Sequence, residues 1–456
     1  MKIISSYSVK IKHYNRIFCD TIKIYRKAVD FFIGVCLAEW DALSTLTGQL
    51  AQQRYVEIQT HKTKNVVSLA YDFDKLFYKF PSYLRRSAIS AAIGKVSSYK
   101  SNLSNYEAGT DQHRPSVPKA GNSFPVMYRD NCFIRSGTYT ARLKVYIRNT
   151  WDWLDVDLKK GDVDYILRRC KSRKECAPVL RKRGKEWFLD FAFEEKVKLS
   201  DSQIQNRVIV AVDLGLNNAC TCSVMTAEGT ILDRKFLSLP REQDSLNHAI
   251  NRIKKAHQHG AKRTPRLWAR AKGINDDIAV KTATFIVDTA ILWSADVIVF
   301  EHLDLSGKKK GAKKQQLHHW KAQYVQSMVE QKAHRLSMRI SRVCAWGTSK
   351  LAYDGSGMVE RGINGNYSIC KFQNGKIYNC DLSASYNIGA RYFIREILKS
   401  LPETARLETQ AKVPECSKRL IILSICPSVI KSAGCLSSVT NKHLLLKGLS
   451  NKSMRS

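Results

Sequence analysis

The sequence predicts a multidomain chain that joins an α/β portion to an α+β portion. Three observations carry this. From Val208 onward, short β-branched runs alternate with long helical patterns. Between residues 14 and 106, apolar side chains recur at three- and four-residue steps. Residues 125–197 change period and break into short β-branched and aromatic runs separated by turn residues.

Residues 3–12 alternate and read as an edge or barrel strand. The helical block follows, with RIFCDTIKIYRKAVDFFIGVCLAEW and LRRSAISAAIGKVSSYKSNL as its clearest pieces. EAGTDQHRPSVPKAGNSFP is rich in Gly, Pro and Ser and reads as a linker. FIRSGTYTARLKVYIR, DYILRRC, APVLRKRG and EWFLDFAFEE read as strands of an antiparallel barrel or sandwich. If the first strand pairs there, the helical block is an insertion in it. KLSDSQIQNR leads into VIVAV, ACTCSVMT and GTILDRKFLSL, three successive strands with a hairpin turn at Glu228–Gly229. Residues 241–294 read as two long helices, the first basic and the second amphipathic. The strand DVIVFE, a lysine-rich stretch, the helix WKAQYVQSMVEQKAHRLSMRI and a strand with a loop-rich insert over 342–380 precede a last helix, DLSASYNIGARYFIREILKS. Residues 401–456 are basic, lack sustained periodicity and read as a mobile tail.

The charge points to a polyanionic partner. The 456 residues hold 75 Lys and Arg against 40 Asp and Glu, a formal charge of +35, with an isoelectric point near 9.8. Such an excess releases condensed counterions when it neutralises phosphates, so nucleic acid is the expected ligand. Thirteen scattered cysteines fit no disulfide framework and suggest a reducing compartment. MKIISSYSVKIKHYN lacks the apolar core of a secretory signal, and no apolar run approaches the ~20 residues of a membrane span. A prokaryotic, cytoplasmic, nucleic-acid-associated protein without membrane contact is expected.

Three acidic residues stand in related settings. Asp213 ends VIVAVD, Glu301 ends DVIVFE, and Asp381 opens the last helix. A charge beside an apolar strand is costly unless compensated. Three carboxylates converging on one point would repel each other and so imply a bound cation. Mg²⁺ suits their hard oxygens. Taken singly, each has a plainer reading: a turn aspartate, a strand-end glutamate, a helix N-terminal aspartate.

DLGLNN, the strand ending in FEHLDL and DLSASYNIGARYF together resemble the three motifs of the RuvC-like nuclease in TnpB proteins, relatives of compact type V CRISPR effectors. The resemblance implies a ribonuclease H-like (RuvC) domain over 201–341 and 381–400, with Asp213, Glu301 and Asp381 as catalytic, metal-binding triad. It implies a wedge-like β-barrel over 1–13 and 116–200, interrupted by a helical recognition domain over 14–115. The implied activity is Mg²⁺-dependent, RNA-guided cleavage of double-stranded DNA beside a short flanking motif, with two ions at the triad and a guide RNA as partner. An RNA-guided binding protein that does not cut, and another metal-dependent nuclease or transposase on the same fold, are the rival readings.

One departure concerns zinc. The family carries two Cys-x-x-Cys pairs between its second and third motifs. Here Ala352, Gly355 and Gln373 stand at expected ligand positions, leaving Cys344, Cys370 and Cys380 nearby. Paired spacing fails, so residues 342–380 read as a degenerate zinc-finger-like insert that folds without zinc. Lys308, Lys309, Lys310, Lys313 and Lys314 read either as a solvated run or as a lid touching phosphates. Arg85 and Arg86 read either as nucleic-acid contacts or as surface arginines of an amphipathic helix.

Overall fold

The computed structural model describes residues 1–62, 69–111, 113–215, 218–303, 321–363, 366–417 and 421–433. The chain divides into two compact units, Lys2–Lys196 and a second running from Val197.

The first unit opens with β1 (Lys2–Lys10) and then runs through α1 (Ile17–Ala38), α2 (Trp40–Thr45), α3 (Gln49–Thr60), α4 (Phe73–Leu76) and α5 (Ser82–Glu107). Helix α1 buries Phe18, Ile22, Tyr25, Val29, Phe32 and Cys36, the three- and four-residue stripe visible in the sequence. It packs against α5, whose small Ala88 and Ala92 are fully buried. Stacked rings of Phe32, Phe73 and Phe77, with centroids 4.8 and 4.6 Å apart, fill the space beside them.

Strands β2 (Phe133–Arg135), β3 (Thr140–Ile147) and β4 (Thr150–Asp157) form one antiparallel sheet. β5 (Lys174–Glu175), β6 (Val179–Arg183) and β7 (Glu186–Lys196) form another with β1. The pairing of β1 with β7 runs from Lys2↔Lys196 to Lys10↔Phe188, so the helical block lies between partners of one sheet. The segment DYILRRC is not a strand. It belongs to α6 (Lys160–Arg169), which buries Val163 and Ile166 one turn apart. Asp162 in its first turn and Arg168 and Arg169 in its last match the helix dipole.

In the second unit β8 (Val208–Asp213), β9 (Cys220–Thr226) and β10 (Ile231–Leu237) form an antiparallel meander. α7 (Pro240–Gln258) and α8 (Pro265–Leu292) precede β11 (Val297–His302), and α9 (Ala322–Arg335) precedes β12 (Arg339–Cys344). The sheet order is β10-β9-β8-β11-β12, with β8, β11 and β12 parallel. Central β8 is buried on both faces, which is why it reads as a continuous apolar run. Val208, Val210 and Val212 pack with α8 and α9 side chains such as Ala283, Ile286 and Val329. Ile209 and Ala211 face the opposite layer, formed by the last long helix.

The insert is more regular than its glycine-rich sequence suggests. β13 (Glu360–Ile363), β14 (Asn366–Lys371) and β15 (Ile377–Asn379) form an antiparallel sheet of their own. α10 (Cys380–Ser400) follows directly. The tail also differs from expectation in its first part. α11 (Glu403–Lys412) and α12 (Cys426–Ser432) form, and Cys416, Leu423, Cys426 and Val429 are buried in the α10 layer. The short apolar segment of the tail supplies enough surface for this docking. Among the described residues, no helix is long and apolar enough to cross a membrane.

Candidate active site

Strand register brings the first two acids together. β8 and β11 pair in parallel from Ile209↔Val297 to Val212↔Phe300. One residue further along stand Asp213 and Glu301, side by side at the carboxyl ends of neighbouring strands. Side chains alternate faces. Ala211 and Val299 face the α10 layer, so Asp213 and Glu301, two residues on, face it too. Asp381 lies in the first turn of α10. The structure thus brings all three sequence-predicted acids to one end of the sheet, and each remains partly exposed.

The local structure explains each position. After Asp213 the chain must turn sharply. A Cβ on Gly215 would sit 2.7 Å from the Asn218 carbonyl oxygen, so only glycine fits. Asn218 Nδ2 then donates to Asp381 Oδ2 at 3.0 Å. Asn379 caps α10, its Oδ1 accepting from the Asp381 and Leu382 amides at 3.0 Å each. The helix itself comes unusually close to the sheet. A Cβ on Gly389 would lie 2.0 Å from Met225 Sδ and 3.2 Å from Ala211 Cβ.

Around Glu301 a loop is fixed by buried polar groups. Asn387 Nδ2 donates to the Thr348 and Leu351 carbonyls at 3.0 Å each. Arg391 donates to the carbonyls of Cys344 and Trp346 at 2.6 and 2.7 Å. Held this way, the Thr348 hydroxyl donates to Glu301 Oε1. Gln326 Nε2 donates to the Glu301 carbonyl at 3.0 Å.

The electrostatics are those of crowded carboxylates. Burial, then Glu301 and Asp381, push the Asp213 carboxyl well above its usual range, while Arg361 opposes this. Burial raises Glu301, and the Thr348 bond and the Arg391 charge oppose it. Among the described residues, no three His, Cys, Asp or Glu side chains are grouped so as to hold a metal ion by themselves. The oxygen donors still fit Mg²⁺, which is commonly held by one or two carboxylates with waters and substrate phosphates. A divalent cation would relieve the repulsion that raises Asp213.

The other candidates fall elsewhere. Arg85 is buried, with its guanidinium 3.8 Å from Asp74 and bonded to His61 Nδ1 at 3.2 Å. This is an internal contact of the helical block rather than an exposed phosphate contact. Arg86 pairs with Glu57 at 3.1 Å and lies over the Tyr83 ring. Lys308, Lys309, Lys310, Lys313 and Lys314 lie outside the described residues. Asn218, Thr348, Asn387, Arg391 and Arg361 were not picked out by sequence reasoning as site residues. Asn387 and Arg391 left a signal: two polar residues one turn apart on a helix otherwise rich in small and apolar side chains.

Several known proteins are similar to this chain. The Aq_aa04 family model matches residues 5–147. The TnpB-like protein aq_aa05 of Aquifex aeolicus (strain VF5) is 28% identical over 236 residues, 46% of this chain and 74% of that protein. Among solved structures, a Cas12f1–sgRNA–target DNA complex is similar with a TM-score of 0.50 at 13% identity, covering 82% of this chain and 81% of that one. CasPhi-2 (Cas12j) bound to crRNA and phosphorothioate DNA gives 0.43 at 11%, covering 86% and 91%. The class this defines is a mixed α/β fold resembling the Cas12 effectors. Within it, the chain is similar over part of its length to a TnpB-like protein, the family that its three acidic motifs resemble.

Proposed function

We propose that this chain is an RNA-guided, Mg²⁺-dependent DNA endonuclease of the TnpB kind, with Asp213, Glu301 and Asp381 as its catalytic carboxylates. The observation that carries this is the convergence of three like charges from β8, β11 and α10, with the Asp213 carboxyl raised by burial and then by the other two. The sheet order, an antiparallel meander extended by two parallel strands, supports a ribonuclease H-like reading of this unit. The Cas12f1 complex, which holds an sgRNA and a target DNA, supports the guide RNA and the DNA target, and the resemblance of the three acidic motifs to TnpB supports the nuclease class. The wedge-like and recognition roles of Lys2–Lys196, and target-strand handling by the insert, belong to the same proposal.

Asp213, Glu301 and Asp381 would hold Mg²⁺, which when bound supplies Lewis-acid activation of water and neutralises the leaving oxygen. The chain's own groups do the rest. Register fixes Asp213 beside Glu301. Asn218 orients Asp381, and Thr348 orients Glu301. Arg361 brings a cation to the acidic site and is tied there by its bond to the Ser349 carbonyl at 2.8 Å. Guide–target pairing would choose the sequence.

The test is purification from the native host, followed by RNA sequencing and a cleavage assay on DNA matching that RNA. A discrete structured RNA and Mg²⁺-dependent, guide-matched cutting are expected. Sequence-specific cutting by RNA-free protein would overturn the guide assignment. Guide-dependent binding without any cutting would favour the non-cleaving reading.

A further inference from the structure

Within the first unit, α1 and the β6–β7 turn enclose a cleft of about 490 Å³. One wall carries Lys23, Arg26 and Lys27, spaced three and four residues apart on α1. The other carries Lys182, beside Gly184 at the turn. Among the described residues, none of these four cations forms an ion pair with a carboxylate. The cleft's one acid, Asp30, already accepts from the Ala120 amide at 2.6 Å.

The remaining polar groups are also mainly donors. Arg26 is braced by the Ser123 carbonyl at 3.1 Å and lies over the Phe124 ring at 5.1 Å. Lys182 stands 5.5 Å from the Trp187 ring. Trp187 lines the cleft at 1% exposure, and its Nε1 is buried without a hydrogen-bond partner among the described residues. A buried N–H without an acceptor costs roughly 1–3 kcal/mol. A cleft rich in donors and poor in acceptors suits a ligand with the opposite balance. A phosphodiester strand has that balance: charged acceptor oxygens on every phosphate and no donor on the phosphate itself.

We infer that this cleft, through Lys23, Arg26, Lys27 and Lys182, grips the phosphate backbone of a nucleic-acid strand. The inference rests on the nucleic-acid reading of the chain but concerns a surface separate from the three carboxylates. Asn122 supplies a further polar group at the cleft.

The experiment compares the full chain with K23A/K27A/K182A and with the charge-preserving K23R/K27R/K182R. Each is titrated with a mixed-sequence single-stranded RNA oligonucleotide and with DNA of the same sequence, over a salt series. Losing three contacts should weaken binding roughly tenfold at moderate salt and flatten the log–log salt slope by about 2, at ~0.7 per single-strand phosphate. The arginine variant should bind as the unmodified chain does. A loss confined to RNA assigns the cleft to the guide, and a loss confined to DNA assigns it to a target strand. The lysines are exposed, so an unchanged thermal melt is expected for both variants. If the unmodified chain binds and the alanine variant binds equally, with the same slope, the cleft inference fails while the functional reading stands. If the unmodified chain binds neither strand, both fail together.

Discussion

The carboxylates of the second unit and the cations of the first are both clusters of like charge, but they are built differently. Asp213 and Glu301 end neighbouring strands whose register is fixed by backbone hydrogen bonds, and Asp381 begins a capped helix. Lys23 and Lys27 project from a helix surface and Lys182 from strand β6, all on long exposed stems. The first arrangement holds a few atoms in place. The second supplies charge density without exact positions. Metal chemistry requires the former, because a ligand displaced by an ångström is lost. Backbone gripping is satisfied by the latter, because phosphates repeat along a strand. One consequence follows directly: single substitutions should disable the acidic cluster, whereas several are needed to weaken the basic one.

The largest expected effect breaks the acidic cluster. Asp213→Ala, Glu301→Ala and Asp381→Ala should each lower single-turnover cleavage by about 10³-fold or more, ~4 kcal/mol of transition-state stabilisation. Nucleic-acid affinity should hardly change, since the phosphate contacts remain. Robust Mg²⁺-dependent cutting by any one variant removes that residue from the site.

A second, smaller effect tests the scaffold of that cluster. Gly389→Val would drive a side chain into Met225 and Ala211. Overpacking of this kind costs roughly 1–3 kcal/mol. It should lower the thermal midpoint and, by displacing α10, reduce cleavage, while binding of RNA oligonucleotides stays close to normal. Unchanged cleavage would mean that the close approach of α10 does not position Asp381.

These contrasts also show what the sequence could reveal. The strand runs of β8 and β11 were legible because strands buried on both faces leave unbroken β-branched stretches. The acids at their ends were legible because a charge closing such a stretch is conspicuous. DYILRRC reads as a strand because its adjacent apolar residues Tyr165, Ile166 and Leu167 define no period, and the helix shows only when Val163, three residues before Ile166, is taken with them. The sheet of the insert was hidden by turn glycines at close intervals. Thr348 and Arg361 were hidden for another reason. Their importance lies in contacts to Glu301 and near Asp213 that span tens to more than a hundred residues of sequence, and no local pattern records such a pairing. Arg85 looked exposed beside Arg86, yet it turns inward to Asp74 and His61, a distant pairing that no local pattern records.

A pH limb should distinguish the second unit. Burial lowers the pKa of His334 on α9, with Glu330 opposing and Arg342 adding to the shift. The unfolded chain takes up a proton near pH ~6.5, whereas the folded chain resists until lower pH. Between those values the unfolded state binds more protons, so stability rises with pH and is lost as pH falls through this window. Denaturant melts across mildly acidic pH should show the decline. His334→Gln, which cannot titrate, should flatten it. An identical slope in the variant would place the proton uptake elsewhere.

The smallest expected effect is none at all, and it concerns zinc. Ala352, Cys370, Phe372 and Cys380 are packed together in an apolar cluster. The Tyr353 ring lies 5.7 Å from Phe372, 5.1 Å from Tyr378 and 5.1 Å from Tyr386, which joins the insert to α10. Gln373 fills the space over Gly357, where a Cβ would fall 2.4 Å from its Oε1. Zinc binds thiolates, but burial and the neighbouring Cys380 push the Cys370 thiol up to about 12. Ring packing and hydrogen bonds such as Cys370 Sγ to the Tyr378 carbonyl at 3.5 Å therefore hold the insert in our reading. Cleavage should survive treatment with a zinc chelator followed by Mg²⁺ replenishment, and should survive combined Cys344→Ser, Cys370→Ser and Cys380→Ser substitution. Tyr353→Ala, by contrast, should cost roughly 3 kcal/mol by opening a cavity among the rings. Stoichiometric zinc in the purified protein, lost together with activity in the cysteine variant, would show that the insert is held by metal after all.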